Sequence, residues 1–193
     1  MTSLGERLAL AEGRTVERLR LRPVALDARL AHATGLWKDE RVTLVTRAFE
    51  GDAVAWMRSA LVQGAQLEIA SLAARTRPNR ALDPFEAELT WRASRREGAI
   101  TVWDAERGAM QRRHVSVETL PAAVAEFDDR IDEWVRRAAA MPPEVALAEA
   151  TRARYDAYVA ARAGDGELSR LLGVMFGRAW AEEYVGRVLY PTL

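Results

Sequence analysis

Short stretches in which apolar and polar residues alternate follow one another from residue 28 to residue 104, and they constrain the fold most. A period of two residues places one face of each stretch against a core, which is typical of half-buried β-strands. The predicted strands are 28–34, 42–49, 56–62, 67–75, 85–92 and 100–103. Turns are predicted at Lys38-Asp39 and Gln63-Gly64. Consecutive strands joined by short turns predict an antiparallel sheet.

Helical spacing flanks the predicted strands on both sides. Residues 1–22 carry a loose helical pattern, and residues 117–193 repeat apolar side chains every three or four positions. The second region is divided by Pro142-Pro143 as a stop, Asp165 as an N-cap, and Gly177 as a kink or break. A length of 193 residues suits one domain. The order of elements predicts the α+β class, with the sheet in 28–104 and the helices packed against it.

The absence of cysteine limits the chemistry that the side chains can perform. Disulfides, iron–sulfur ligands, thiolate zinc sites and cysteine nucleophiles are all excluded. His32 and His114 are the only histidines, so a multi-histidine metal site is excluded as well. Lys38 is the only lysine, which removes most Schiff-base mechanisms. Redox chemistry therefore requires a substrate or cofactor that can itself accept and donate electrons.

The charge balance gives no indication of a nucleic-acid partner, because Lys+Arg and Asp+Glu both total 28. The sequence has no run of about 18 apolar residues, which a membrane span requires. Met1 to Arg14 lacks the charged-then-apolar order of a signal peptide. We therefore expect a cytoplasmic protein with no nucleic-acid partner and no membrane association.

Two stretches of the sequence resemble the ferredoxin-dependent bilin reductases. The first is the closing segment 171–190, LLGVMFGRAWAEEYVGRVLY, where the family closes with a Phe-Gly, a Trp-Ala-Glu, a Tyr and a Val-Leu-Phe at this spacing. Tyr155 and Tyr158 also stand where the family tends to carry tyrosines. The second stretch is 67–89, in which a proline-containing turn precedes the run LDPF at 82–85 and an acidic residue follows three positions on.

The resemblance covers roughly 42–103 and 152–193 and implies both a fold and an activity. Members of the family fold as an α/β/α sandwich, with an antiparallel sheet between helical layers. They hold a linear tetrapyrrole, typically biliverdin, between the sheet and the C-terminal helices. Reduced ferredoxin supplies single electrons, side chains supply protons, and no metal or bound cofactor is needed. The resemblance therefore implies a biliverdin-like substrate and ferredoxin as electron donor for this chain.

The catalytic positions of the family fall on a mixed set of residues here. Its central aspartate falls on Glu88, which keeps a carboxyl. Burial in an apolar pocket would raise the pKa of that carboxyl, which suits a proton donor. A histidine and a glutamate on the two preceding strands of the family fall on Ser71 and Ser59. Serine donates hydrogen bonds but does not titrate near neutral pH, so we expect both serines to bind substrate.

Two further acidic positions are implied as substrate-binding residues. Asp104 follows the last predicted strand and matches an acidic strand end of the family. Asp165 falls on a position where the family carries an asparagine. The lysine that some family members use on a substrate propionate falls on Glu167. The competing interpretation of Asp104 is a turn aspartate. The competing interpretation of Glu86 and Glu88, which share one strand face, is a solvated surface.

Three interpretations of function follow. The first is a reductase that passes electrons from ferredoxin to a linear tetrapyrrole, with Glu88 as proton donor. The second is a tetrapyrrole-binding protein that lost catalysis, which Ser59 and Ser71 favour. The third is an interaction module without a ligand. Six arginines could receive ferredoxin, anchor propionates or form a solvated rim: Arg75, Arg77, Arg80, Arg92, Arg95 and Arg96.

Overall fold

An antiparallel sheet of eight strands forms the centre of the computed structural model, which describes residues 3–144, 148–164 and 166–191. The strands are β1 (Arg22–Val24), β2 (His32–Trp37), β3 (Glu40–Glu50), β4 (Val54–Gly64), β5 (Leu67–Thr76), β6 (Phe85–Arg92), β7 (Glu97–Asp104) and β8 (Ala109–Ser116). From β3 to β8 each strand pairs with the next one along the chain. Both β1 and β2 pair with the outer edge of β3.

Helices cover both faces of this sheet. On one face lie α1 (Leu4–Leu19) and α3 (Leu120–Ala140). The other face carries α2 (Ala28–Ala31), α4 (Ala148–Gly164), α5 (Glu167–Phe176), α6 (Arg178–Tyr184) and a π-helical turn (Val185–Leu189). Each face has its own apolar core, because successive residues of a strand point to opposite sides. The predicted α/β/α sandwich with a central antiparallel sheet is confirmed.

The sheet differs from the sequence prediction at both of its ends. The predicted strand 28–34 divides into the short helix α2, capped by the side chain of Asp27, and the later strand β2. Strand β8 was not predicted. In β8 only Val115 is fully buried, and the other side chains are mostly exposed. A strand that is polar on both faces carries no alternation for sequence analysis to detect.

The C-terminal helices end where the sequence predicts breaks. Helix α3 ends ahead of Pro142-Pro143. Gly177 separates α5 from α6 with a φ of 95°, a backbone conformation that favours glycine. The predicted N-cap Asp165 lies outside the described residues. Gly35 brings α5 close to the sheet, because a Cβ there would collide with the carbonyl oxygen of Met175.

Candidate functional site

A cavity of about 530 Å³ lies between the sheet and helix α5, within the range of about 300–1,000 Å³ typical of ligand pockets. Its apolar lining consists of Trp37, Leu67, Ile69, Ala99, Met110, Leu168, Leu171 and Val174. Its polar lining consists of Glu88, Thr90, Arg92, Thr101, Arg112, Arg162 and Arg170. A smaller cavity of about 40 Å³ adjoins it and shares Ile69, Glu88, Leu168 and Leu171.

Glu88 lines both cavities from the middle of β6. Its neighbours across the strand ladders are Ser71 of β5 and Thr101 of β7. The Thr90 hydroxyl donates a hydrogen bond to Oε1 of Glu88 at 3.1 Å. Burial raises the pKa of the Glu88 carboxyl, and the negative charge of Glu86 raises it further. Glu88 therefore keeps its proton to a higher pH than an ordinary glutamate, as a proton donor requires.

Ser71 lies beside Glu88 and lines the smaller cavity. Its Oγ accepts a hydrogen bond from Nη1 of Arg58 at 3.1 Å. Because this bond uses a lone pair of the hydroxyl, the hydroxyl hydrogen can still be donated elsewhere. The structure thus brings together Glu88 and Ser71, and it adds Arg58 to them.

Glu86 has no exposed surface and is the centre of a buried ionic network. Nη2 of Arg58 donates to its Oε1 at 3.0 Å, and Nε of Arg162 donates to its Oε2 at 2.9 Å. The Tyr158 hydroxyl donates to Oε2 at 2.8 Å. Burial acts against the charged form, but the two guanidiniums outweigh it and lower the pKa of Glu86. Glu86 is therefore an ionised carboxylate beneath the cavities.

This network is not evident from the sequence, where Glu86 stands out only as a neighbour of Glu88 on a strand face. The signal that could have found the network is Arg58, a charged residue inside the otherwise uncharged stretch 54–62 of a central strand. A charge in such a position requires a buried partner. The identity of that partner depends on the fold, since Arg162 follows far along the chain.

Ser59 lies on the opposite face of the sheet from Glu88. Alternation along β4 directs Arg58 to the C-terminal helices and Ser59 to α1, where the Ser59 hydroxyl donates to Glu12. Glu12 also accepts a hydrogen bond from Nη1 of Arg47 at 2.7 Å. This placement corrects the expectation of a substrate-binding Ser59, because Ser59 lines neither of the cavities that contain Glu88. The β4 residue that lines the smaller cavity next to Ser71 is Arg58.

Asp104 is the last residue of β7, directly ahead of the turn to β8. Its Oδ1 accepts hydrogen bonds from the backbone N–H groups of Glu106 and Arg107 at 3.0 and 3.1 Å. It borders a groove beside α3 rather than the cavity that contains Glu88. This placement corrects the expectation of a substrate-binding Asp104 and favours the turn aspartate. Asp165, the last predicted binding residue, lies outside the described residues.

The six arginines considered from the sequence do not form one surface. Arg75, Arg77 and Arg80 lie at one end of the β5–β6 pair, and Arg92, Arg95 and Arg96 lie at the other. Arg75 is buried and stacks on the ring of Tyr155 at 4.0 Å. Of the six, Arg92 lines the larger cavity, together with Arg112, Arg162 and Arg170. A lining with four arginines and a single carboxyl suits a ligand that carries carboxylates.

Metal-binding clusters and membrane-spanning helices are both absent from residues 3–144, 148–164 and 166–191. No group of three or more His, Asp or Glu side chains is placed there to hold a metal ion. No helix in these ranges combines the length and the apolar character needed to cross a membrane.

Comparison by sequence gives no match to a family model and no match among the curated proteins. Comparison by structure gives a match to phytochromobilin synthase from tomato, a selenomethionine protein in complex with biliverdin. The TM-score is 0.80 over 97% of this chain and 83% of that chain, with 15% sequence identity. At this identity the likeness shows the fold alone. The chain therefore shares its sandwich fold with a protein whose structure contains biliverdin.

Proposed function

We propose that this chain binds an open-chain tetrapyrrole of the biliverdin type between the sheet and α5, and reduces it with electrons from ferredoxin. The observation that carries the proposal is Glu88, a carboxyl with a raised pKa in the wall of a ligand-sized cavity. The fold shared with a phytochromobilin synthase in complex with biliverdin supports the choice of ligand.

The lining of the cavity suits a flat ligand with acidic substituents. Trp37, Leu171 and Val174 offer apolar contact to conjugated rings. Arg92 on the sheet and Arg170 on α5 offer guanidiniums to propionate carboxylates. The lysine that some family members use on a propionate falls on Glu167 in this chain. Arginines from the sheet and the helix supply the positive charge for the propionates instead.

The proposed reaction saturates one double bond of the ligand and consumes two electrons and two protons. Two reduced ferredoxins are oxidised, and each gives one electron. Glu88 gives a proton to the singly reduced ligand and recovers one from water through the open side of the cavity. It then gives the second proton after the second electron arrives. Ser71 donates a hydrogen bond that holds a carbonyl oxygen of the ligand in place.

A protein that binds the tetrapyrrole without reducing it is the second candidate. Glu88 is the one carboxyl among the described residues that line the two cavities. Its cross-strand neighbour Ser71 does not titrate near neutral pH and cannot relay a proton as a histidine does. Ser71 therefore offers Glu88 no partner that titrates near neutral pH, and this favours binding alone.

A spectroscopic experiment separates the two candidates. The purified protein is mixed with biliverdin, its visible spectrum is recorded, and ferredoxin with its reducing system is added without oxygen. We expect a spectral shift on mixing, followed by progressive loss of the long-wavelength band. A shift without that loss would identify the binding protein. An unchanged spectrum on mixing would exclude both candidates for biliverdin.

Two tryptophan variants test the location of the ligand. Val174 lines the mouth of the cavity and is 65% exposed, whereas Leu10 lies on α1 in the other helical layer and is 56% exposed. Val174→Trp should obstruct the cavity and weaken the spectral shift. Leu10→Trp, a matched change of an exposed apolar residue, should leave it unchanged. Equal binding by both variants would place the ligand elsewhere.

A further inference from the structure

Glu86 lines neither cavity, yet it contacts side chains that line both of them. Arg162 lines the larger cavity and donates to Glu86 through Nε and Nη2. Arg58 lines the smaller cavity and donates to Glu86 through Nη2 and to Ser71 through Nη1. One arginine of each cavity, Arg162 in the larger and Arg58 in the smaller, is therefore held by the same carboxylate.

We infer that Glu86 is a positioning residue, a fixed carboxylate that engages Arg58 and Arg162 and thereby keeps Glu88 in its protonated form. This inference rests on the proposed role of Glu88 as proton donor. It assigns to Glu86 no contact with the ligand and no proton transfer of its own.

The charge on Glu86 is permanent because its oxygens are saturated with donors. Arg58, Arg162 and Tyr158 together donate four hydrogen bonds to its two oxygens, at 3.0, 2.9, 3.3 and 2.8 Å. A protonated Glu86 would leave two buried guanidiniums with no anion between them, which is strongly unfavourable. Glu86 consequently acts as a fixed charge in the pH range where Glu88 titrates.

Several elements place polar or charged side chains in or next to the cavities that Glu88 lines. These side chains are Arg58 (β4), Ser71 (β5), Glu86, Thr90 and Arg92 (β6), Thr101 (β7), Arg112 (β8), Arg162 (α4), Arg170 (α5) and Tyr184 (α6). The guanidiniums of Arg58 and Arg162 favour an ionised Glu88, and Glu86 opposes them. Glu86 disfavours an ionised Glu88 in two ways. Its negative charge repels a second anion, and it accepts the hydrogen bonds that both arginines could otherwise donate to Glu88.

The direct test is the titration of Glu88 in the ligand-free Glu86→Gln variant. The infrared carbonyl band of protonated Glu88 is identified as the band that Glu88→Gln lacks, and its loss is followed with rising pH. We expect the pKa of Glu88 to fall by about one unit or more, because an anion is removed and two guanidiniums are released. An unchanged pKa would overturn the inference. No ligand or ferredoxin is present, so this outcome is independent of whether the protein is a reductase.

Tyr158→Phe is the matched control for loss of packing around Glu86. It removes one hydrogen bond to Glu86 and leaves the carboxylate and both guanidiniums in place. We expect the pKa of Glu88 to stay at its wild-type value in this variant. A fall as large as that in Glu86→Gln would show that packing, rather than charge, is responsible, and would also overturn the inference.

A second variant covers the case in which Glu86→Gln does not fold. Glu86→Gln/Arg162→Gln removes one charge of each sign and leaves a single cation, Arg58, in the network. The pKa of Glu88 should still fall, because the anion two residues away on the same strand face is removed and Arg58 loses its carboxylate partner. A pKa equal to or above that of the wild type would contradict the positioning role.

Discussion

Glu86 and Glu88 share one face of β6, and their carboxyl groups have pKa values shifted in opposite directions. Burial favours the neutral form of both. Arg58 and Arg162 reverse its effect at Glu86, whereas the charge of Glu86 adds to it at Glu88. Two carboxyls whose environments separate their pKa values in this way are typical of acid–base sites. Glu86 stays an anion, and Glu88 keeps its proton to a higher pH than an ordinary glutamate.

Replacing Glu88 should affect the reaction rather than the binding of the ligand. Glu88→Gln keeps the size of the side chain but removes the proton, so we expect reduction of bound biliverdin to slow by about 10²- to 10⁴-fold. The shift in the visible spectrum on mixing should remain. Anaerobic single-turnover measurements check the rate. Asp104→Asn is the control, because that carboxylate belongs to the β7–β8 turn and its loss should leave the rate unchanged. An unchanged rate in Glu88→Gln would remove Glu88 from the mechanism.

Stability should depend on pH in a way that identifies Glu88. Its folded-state pKa lies above the ordinary value of 4.5, so between these two values the folded state binds more protons than the unfolded state. The free energy of unfolding contributed by Glu88 therefore falls as pH rises through this window. The Glu88→Gln variant has no carboxyl to ionise at this position, so its free energy of unfolding does not fall for this reason. The free energy of unfolding of the variant minus that of the wild type should therefore increase with pH and then level off. Urea denaturation at a series of pH values measures the difference, and a constant difference would contradict the raised pKa.

Local pattern was sufficient to predict the sheet and the pairing at its centre. Alternation predicts β4 to β6, and in the structure the register between β5 and β6 places Ser71 opposite Glu88. The error at Ser59 is an error of one residue, which in a strand exchanges the two faces of the sheet. Arg58, its neighbour, faces the cavities instead.

Contacts between distant parts of the chain could not be predicted in the same way. Glu86 and Arg162 are separated by 76 residues, and their contact depends on how α4 lies across β6. The sequence indicates that Arg58 needs a partner but does not specify which acid provides it. Strand β8 could not be predicted for a different reason. Its side chains are mostly exposed on both faces, so apolar and polar residues do not alternate along it.

The arginines of the cavity should recognise the acidic groups of the ligand. Arg170 projects from α5 into the cavity lining, so Arg170→Gln should weaken the binding of biliverdin by roughly tenfold, about 1.4 kcal/mol. Biliverdin dimethyl ester has no carboxylates to lose, so the same variant should bind the ester as the wild type does. Spectroscopic titration of both proteins with both ligands forms a double-mutant cycle. An equal loss for acid and ester would show that Arg170 does not pair with a carboxylate.

The position of α5 over the sheet should depend on Gly35. A Cβ at this position would collide with the carbonyl oxygen of Met175 and lie 2.7 Å from Cδ1 of Phe176. We expect Gly35→Ala to displace α5, to lower the free energy of unfolding by about 1–3 kcal/mol and to weaken biliverdin binding. Gly13→Ala is the matched control, since Gly13 lies exposed inside α1 and an added Cβ would meet no other part of the protein within 4 Å. That change should stabilise the protein by about 0.4–1 kcal/mol and leave binding unaltered. Urea denaturation and biliverdin titration measure both effects, and normal binding by Gly35→Ala would show that the cavity does not depend on this contact.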